Sequence, residues 1–128
     1  LGRQAGRPVV AHFTPHLVPM KRGMVATIYA DLTAGTTAER VHEILAERYG
    51  PEPFVHVLPL NRAPAAQNVA GSNYASIGVA GDQTGRRVIL MSAIDNLTKG
   101  ASGAAVQNMN VLMGLPETAG LRGAPLFP

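Results

Sequence analysis

The run RVILMSA at 87–93 has no interior charge, glycine or proline, and it breaks abruptly into a polar bend that opens into an apolar helix; SAIDNLTKGASGAAVQNMNVLMGLP at 92–116 holds the whole transition. Clustered Val, Ile, Leu and Met with a β-branched bias predict a buried strand at 87–93. Asp95, Asn96 and Thr98 supply turn chemistry. Gly100 and Gly103 allow close backbone approach where the helix, expected over 101–113, begins. The first turn of such a helix directs free N–H groups and the positive end of its dipole outward, here beside Lys99, an arrangement suited to an anion or a cofactor. Gln107 and Asn110 stand three residues apart in line with Gly103, so that stripe of the helix has to meet a polar partner or water. A buried helix whose amides satisfy neighbouring backbone accounts for the same spacing.

With 128 residues, 46% of them hydrophobic, the chain can build one core and is expected to form a single domain. The net charge of +3 comes from scattered Arg and Lys without a basic run, and aromatics are too few for a stacking platform, so nucleic-acid binding has little support. There is no cysteine, hence neither disulfide nor thiol nucleophile in these residues. No apolar run approaches the roughly 20 residues of a membrane span, and a cytoplasmic protein is the expectation. LGRQAGRP at the start reads as the tail of a preceding element, which points to a piece of a longer polypeptide.

From the N-terminus, residues 8–12 predict a short strand, and FTPHLVPMKRG forms an irregular passage stiffened by Pro15 and Pro19. MVATIYADL at 24–32 alternates with apolar residues on both faces and is expected to be a central strand. His16 and Arg22 lie on the rigid connection between these two strands, placed to present polar groups or to brace the turn. Thr36 as N-cap with Glu39 reaching back predicts a capping box. The helix that follows buries Ala38, Val41, Leu45 and Tyr49 and ends at Gly50-Pro51 with a C′ glycine. His42 and His56 read as surface residues, and no His, Asp or Glu pair has metal-ligand spacing. After a loop over 60–70, Ser72 and Asn73 precede a strand candidate at 74–79, and GDQTG at 81–85 is a hairpin turn leading into the strand at 86–93. The order predicts an α+β domain with a mixed, largely antiparallel sheet covered on one face by helices, and an extended tail over 115–128.

HFTPHLVPMKRGMVATIYADL, EPFVHVLP, GSNYASIG and SAIDNLTKGASGAAVQNMNVLMGLPETAGL, in one collinear order, resemble the C-terminal part of the N-acetyl-gamma-glutamyl-phosphate reductase family. The resemblance implies a fold similar to the C-terminal domain of glyceraldehyde-3-phosphate dehydrogenase-like enzymes. It also implies a subunit whose N-terminal Rossmann half binds NADP(H), and a homo-dimer or tetramer. The activity it implies is the reduction of N-acetyl-glutamyl phosphate to the semialdehyde in arginine biosynthesis, through a thioester on a cysteine. Residues 1–100 would then form the substrate-binding and association sheet, and the helix at 101–114 would pack towards the cofactor domain.

Three features of that family do not occur in these residues: the catalytic cysteine, the Gly-rich dinucleotide fingerprint and the HRH-x-PEI segment with its acid/base histidine. The segment alone is therefore expected to be inert, with no catalytic residue of its own. Arg22, His16 and Lys99 are the candidates for holding the substrate's carboxylate and phosphate. Asn96 corresponds to the Asn that related phosphorylating aldehyde dehydrogenases set against the nicotinamide amide, and Gln107 with the backbone of Gly100 and Gly103 is expected to complete that wall. Two related enzymes remain as alternatives, an N-acyl-aminoadipyl-phosphate reductase and aspartate-semialdehyde dehydrogenase, the latter sharing a D-N-L-x-K-G-A bend. A different class of role is a structural module whose sheet forms the subunit interface.

Overall fold

The computed structural model describes residues 1–126. Its elements, in chain order, are α1 (Gly2–Ala5), β1 (Met24–Asp31), α2 (Ala38–Tyr49), β2 (Val55–Val57), β3 (Ala75–Gly81), β4 (Arg87–Ile94) and α3 (Gly103–Leu112). Four strands form one sheet in the order β1-β4-β3-β2. β4 pairs antiparallel with both β1 and β3, while β2 runs parallel to β3, so the expected mixed and largely antiparallel sheet is the one observed.

The hairpin between β3 and β4 forms where the GDQTG stretch predicts it, closed by Asp82 N–H donating to the Arg87 carbonyl at 3.0 Å. Asp82 accepts from the backbone N–H of both Arg86 and Arg87 at 3.1 Å, and its second oxygen accepts from the Thr84 hydroxyl. The register sets Ala30 opposite Val88, and Leu90 opposite Val79, so these side chains share one face of the sheet. α2 covers that face: Ala38 joins Val79 and Val88 in the core, with Val41 and Leu45 packed around them. Apolar residues at helical spacing on α2 thus find the apolar face of β3 and β4. On the other face the loop after β2 lies directly against Gly78, where a Cβ would come within 2.5 Å of the Arg62 carbonyl oxygen.

Several local expectations are corrected. β1 is an edge strand, not a central one, and Met24, Val25 and Ile28 are each about half exposed and Tyr29 68%. Apolar residues on both faces are the signature of a strand covered twice, and the pattern cannot distinguish a second strand from another body as the cover. No strand forms over 8–12; residues 7–22 are irregular and exposed, with prolines at 8, 15 and 19 each lacking the N–H a ladder needs. The helix N-cap is Thr37, whose hydroxyl accepts from Arg40 N–H at 3.2 Å, while the Thr36 hydroxyl pairs with Thr33 at 2.9 Å. Gly50 keeps right-handed helical angles, so α2 ends without the left-handed glycine. The turn before α3 is wound more widely than an α-helix over Thr98–Ser102, with Gly100 N–H on the Asp95 carbonyl at 2.8 Å and Ser102 N–H on that of Leu97 at 3.1 Å, which delays α3 to Gly103. His42 is half-buried, with Nε2 at 2.9 Å from the Leu58 carbonyl, so it braces the link between α2 and the chain leaving β2; His56 is exposed, as expected. Of the tail, residues 127 and 128 lie outside the described residues.

Candidate functional site

The apolar run of β4 ends at Asp95, a fully buried acid. One carboxylate oxygen accepts the N–H groups of Leu97 and Thr98 at 2.8 and 2.7 Å, which folds the chain sharply out of the strand. The other accepts Gly71 N–H at 2.6 Å and the Arg22 Nε–H in an ion pair. Burial by itself raises the pKa of such a carboxyl. The Gly71, Arg22, Thr98 and Leu97 donors outweigh it and hold Asp95 well below the usual carboxylate range, so the group is charged. Four donors fill roughly the four acceptor positions a carboxylate offers. Three stretches far apart in sequence, at 22, 71 and 95–98, therefore meet on one side chain.

Arg22 has its Nη2 on the Thr98 hydroxyl at 3.1 Å as well, and its side chain is 37% exposed. It lines a shallow groove with Met20, Lys21, Ala66, Gln67, Ala70 and Leu126. The groove's far wall is the tail: Leu126 N–H donates to the Ala70 carbonyl at 2.8 Å, and its side chain lies where a Cβ on Gly71 would be, 2.6 Å from Cδ1. Beside Arg22, the Asn96 side-chain oxygen accepts Gly23 N–H at 2.7 Å, tying the entry of β1 to the bend.

Lys99 and Gln107 belong to a second cluster under α3. Lys99 Nζ donates to Gln107 Oε1 at 2.6 Å and lies 5.7 Å from the centre of the buried Phe54 ring. Burial lowers the Lys99 pKa, opposed by the nearby charge of Glu117. Gln107 Oε1 also accepts from Asn73 Nδ2 at 3.0 Å, and Gln107 Nε2 donates to Glu117 at 2.5 Å. The expected polar stripe of α3 does meet partners, since Asn110 Nδ2 donates to the carbonyls of Glu117 and Ala119. Gly103 completes this cluster, for its Cα faces the buried Asn73 oxygen, which a Cβ would approach to 2.3 Å. Gly100 is exposed and meets only ordinary contacts.

The structure therefore brings Arg22 to the bend but leaves His16 on the exposed connection, where Nδ1 pairs with the Thr14 carbonyl at 2.9 Å. Lys99 bonds to Gln107 and not to Arg22's partners, and among the described residues no side chain bonds to both. Asp95, Gly71, Asn73, Glu117 and Leu126 were not singled out as site residues. Asp95 carried one legible signal, an acid directly following an apolar strand, which turn chemistry had already absorbed. Among the described residues no group of three or more His, Asp or Glu is placed to hold a metal, and no helix is long and apolar enough to cross a membrane.

Fold and site together define an α+β domain whose mixed sheet ends, at β4, in a buried acid, an arginine paired with it and a turn into a helix. The chain belongs to the family described as semialdehyde dehydrogenase, dimerisation domain, whose model matches residues 1–96. It is similar to N-acetyl-gamma-glutamyl-phosphate reductase of Geobacter metallireducens, 55% identical over 124 residues, covering 97% of this chain and 36% of the relative. The same enzyme of Desulfotalea psychrophila is 55% identical over 128 residues, covering 100% of this chain and 37% of the relative. The chain thus spans little more than a third of the curated relatives it matches. Aspartate semialdehyde dehydrogenase II of Vibrio cholerae shares the fold, with a TM-score of 0.61 at 23% identity over 76% of this chain and 29% of that one.

Proposed function

We propose that this chain is the C-terminal part of an NADPH-dependent reductase that converts N-acetyl-glutamyl 5-phosphate to the semialdehyde and phosphate in arginine biosynthesis, and that it is inert on its own. The observation that carries this reading is the identity of 50–55% over 93–100% of the chain to curated proteins bearing that one reductase name. The reaction needs a thiolate to attack the acyl carbon and expel phosphate, and the chain has no cysteine, so the nucleophile comes from the Rossmann half of the same cytoplasmic enzyme. NADPH supplies the hydride that reduces the thioester to the aldehyde.

The tasks left to this domain are to hold the substrate and to wall the nicotinamide side of the pocket. Arg22 suits the first, because a planar guanidinium pairs with a carboxylate or phosphate through two hydrogen bonds. His16 is exposed on the same connection and free to approach once the other half is present, whereas Lys99 contributes positive potential from beneath α3. For the cofactor, Asn96 is the better-fitting carboxamide, since its oxygen is taken by Gly23 while its NH2 has no partner among the described residues. Gln107 has its oxygen doubly occupied and its nitrogen on Glu117, so its part is to hold α3 and the Gly100 to Gly103 backbone in place. Residues 1–100 serve as the substrate and association sheet of a homo-dimer or tetramer. α3 packs towards the Rossmann half, a role supported by the exposure of Met109, Val111, Leu112 and Met113 at 50–85%.

The test is the full-length enzyme assayed with NADPH against N-acetyl-glutamyl phosphate, its one-carbon-longer aminoadipyl analogue and aspartyl phosphate. Turnover preferring the first, with none from residues 1–128 alone, is expected. Preference for either other acyl phosphate, or turnover by the isolated chain, would overturn the reading.

A further inference from the structure

We propose that Asp95 is the positioning residue for the Arg22 guanidinium, holding it ready for an anionic group carried on a short apolar chain; this rests on the substrate role of Arg22 proposed above. An arginine on an exposed connection has a long, mobile stem, and an anion that has to order it loses affinity in doing so. Here the stem is already fixed. Asp95 is fully buried and itself held by three backbone N–H groups from Gly71, Leu97 and Thr98, so it is a rigid anchor and not a second mobile side chain. Its contact to Nε sets the direction of the guanidinium, and the Thr98 hydroxyl on Nη2 sets the rotation of its plane. Two of the five N–H donors are used in this way, and the other three have no partner among the described residues.

The surroundings indicate what those donors meet. The groove bordered by Arg22 has an apolar floor and wall in Met20, Ala66, Ala70 and Leu126, with a second cation at Lys21 and one amide at Gln67. Such a lining fits a carboxylate or phosphate at the guanidinium with a few methylenes or a methyl group behind it. Both sides of the groove hang on Asp95. Gly71, on which Leu126 packs, donates to one of its oxygens, as does Arg22. The carboxylate therefore couples the charged end of the groove to its apolar wall.

A latch that only joined three chain segments would change stability, whereas a positioning residue also changes substrate affinity through Arg22. The decisive experiment measures KM for the acyl phosphate and for NADPH in the full-length enzyme carrying Arg22→Lys, Asp95→Asn, Thr98→Val, Thr98→Ser and the pairs with Arg22→Lys. Loss of a charge-assisted contact predicts a rise of about tenfold or more in the acyl-phosphate KM for Arg22→Lys. Asp95→Asn gives a similar rise, Thr98→Val gives about threefold, and Thr98→Ser, which keeps the hydroxyl, restores the parent value. On the Arg22→Lys background, Asp95→Asn and Thr98→Val add little further, because they act on a group already lost, and KM for NADPH is unchanged throughout. If Arg22→Lys raises KM while Asp95→Asn and Thr98→Val leave it alone or add in full, the positioning role is overturned and the substrate role of Arg22 stands. If Arg22→Lys leaves KM unchanged, both roles fall. Should Asp95→Asn not fold, the Thr98 pair decides by the same criteria.

Discussion

Gly103→Ala is a change that intrinsic propensity and packing judge in opposite directions. Gly103 is the first residue of α3, with right-handed helical angles, and an alanine in a helix is favoured over glycine by about 1 kcal/mol. Against this, the new Cβ would stand 2.3 Å from the Asn73 side-chain oxygen, 2.9 Å from the Thr98 carbonyl oxygen and 3.0 Å from its carbon. Two of those atoms are backbone of the turn that Asp95 holds, and Asn73 is only 1% exposed, so no flexible end can swing aside. Overpacking of this kind costs about 1–3 kcal/mol. Displacing Asn73 also breaks its 3.0 Å bond to Gln107, worth about 1 kcal/mol. The net expectation is a destabilisation of about 1–3 kcal/mol, the helix-propensity gain offsetting the lost hydrogen bond. Urea denaturation of the chain and of its Gly103→Ala variant, with the slope checked for constancy, measures it. A neutral or stabilising result would refute the packing account and leave Gly103 a residue of convenience. Gly100→Ala is the control, since its Cβ would find nothing nearer than 3.4 Å.

Because Asp95's folded pKa is depressed, its contribution is complete above the unfolded value of 3.8 and is lost as pH falls through the lower folded value. Stability measured from neutral pH into acid is therefore expected to fall less steeply below that value in Asp95→Asn than in the parent, and parallel acid limbs would contradict the assignment. The exposed Arg87 and Asp31 pair, at 2.7 Å, is expected to contribute nothing measurable, so Asp31→Asn leaves the melting temperature unchanged; a clear loss would show that this end of the sheet is more constrained than its exposure indicates. The bare apolar side of α3 is expected to make residues 1–128 associate and bind an apolar dye, and Met109→Glu with Leu112→Lys to suppress both while far-ultraviolet dichroism is retained. A clean monomer without dye binding in the unsubstituted chain would remove the case for that surface.

Local chemistry was legible in the residues alone. The strand at 87–93, the hairpin at 81–85 and the helix after Thr37 depend on contacts between near neighbours, which periodicity and turn residues report directly. The bend after β4 was legible for the same reason, as was the demand that Gln107 and Asn110 find polar partners. Glycine at 103 signalled close approach, but not what approached.

Strand order and the wiring of the site were decided only in three dimensions. Whether the doubly apolar β1 lies inside or at the edge depends on which strands pair, a property of the whole sheet that no single strand encodes. Asp95 reads locally as a turn residue, and Leu97 and Thr98 bear that out, yet its other two partners lie 73 residues away at Arg22 and 24 away at Gly71. Arg22, expected as the anion clamp, and His16, expected as its helper, lie on one stiff connection, and folding separates them because Arg22 has a buried carboxylate within reach while His16 pairs with the Thr14 carbonyl. A buried charge must find its donors wherever the fold brings them, so the residue types determined what chemistry was available and the tertiary structure alone decided which groups meet.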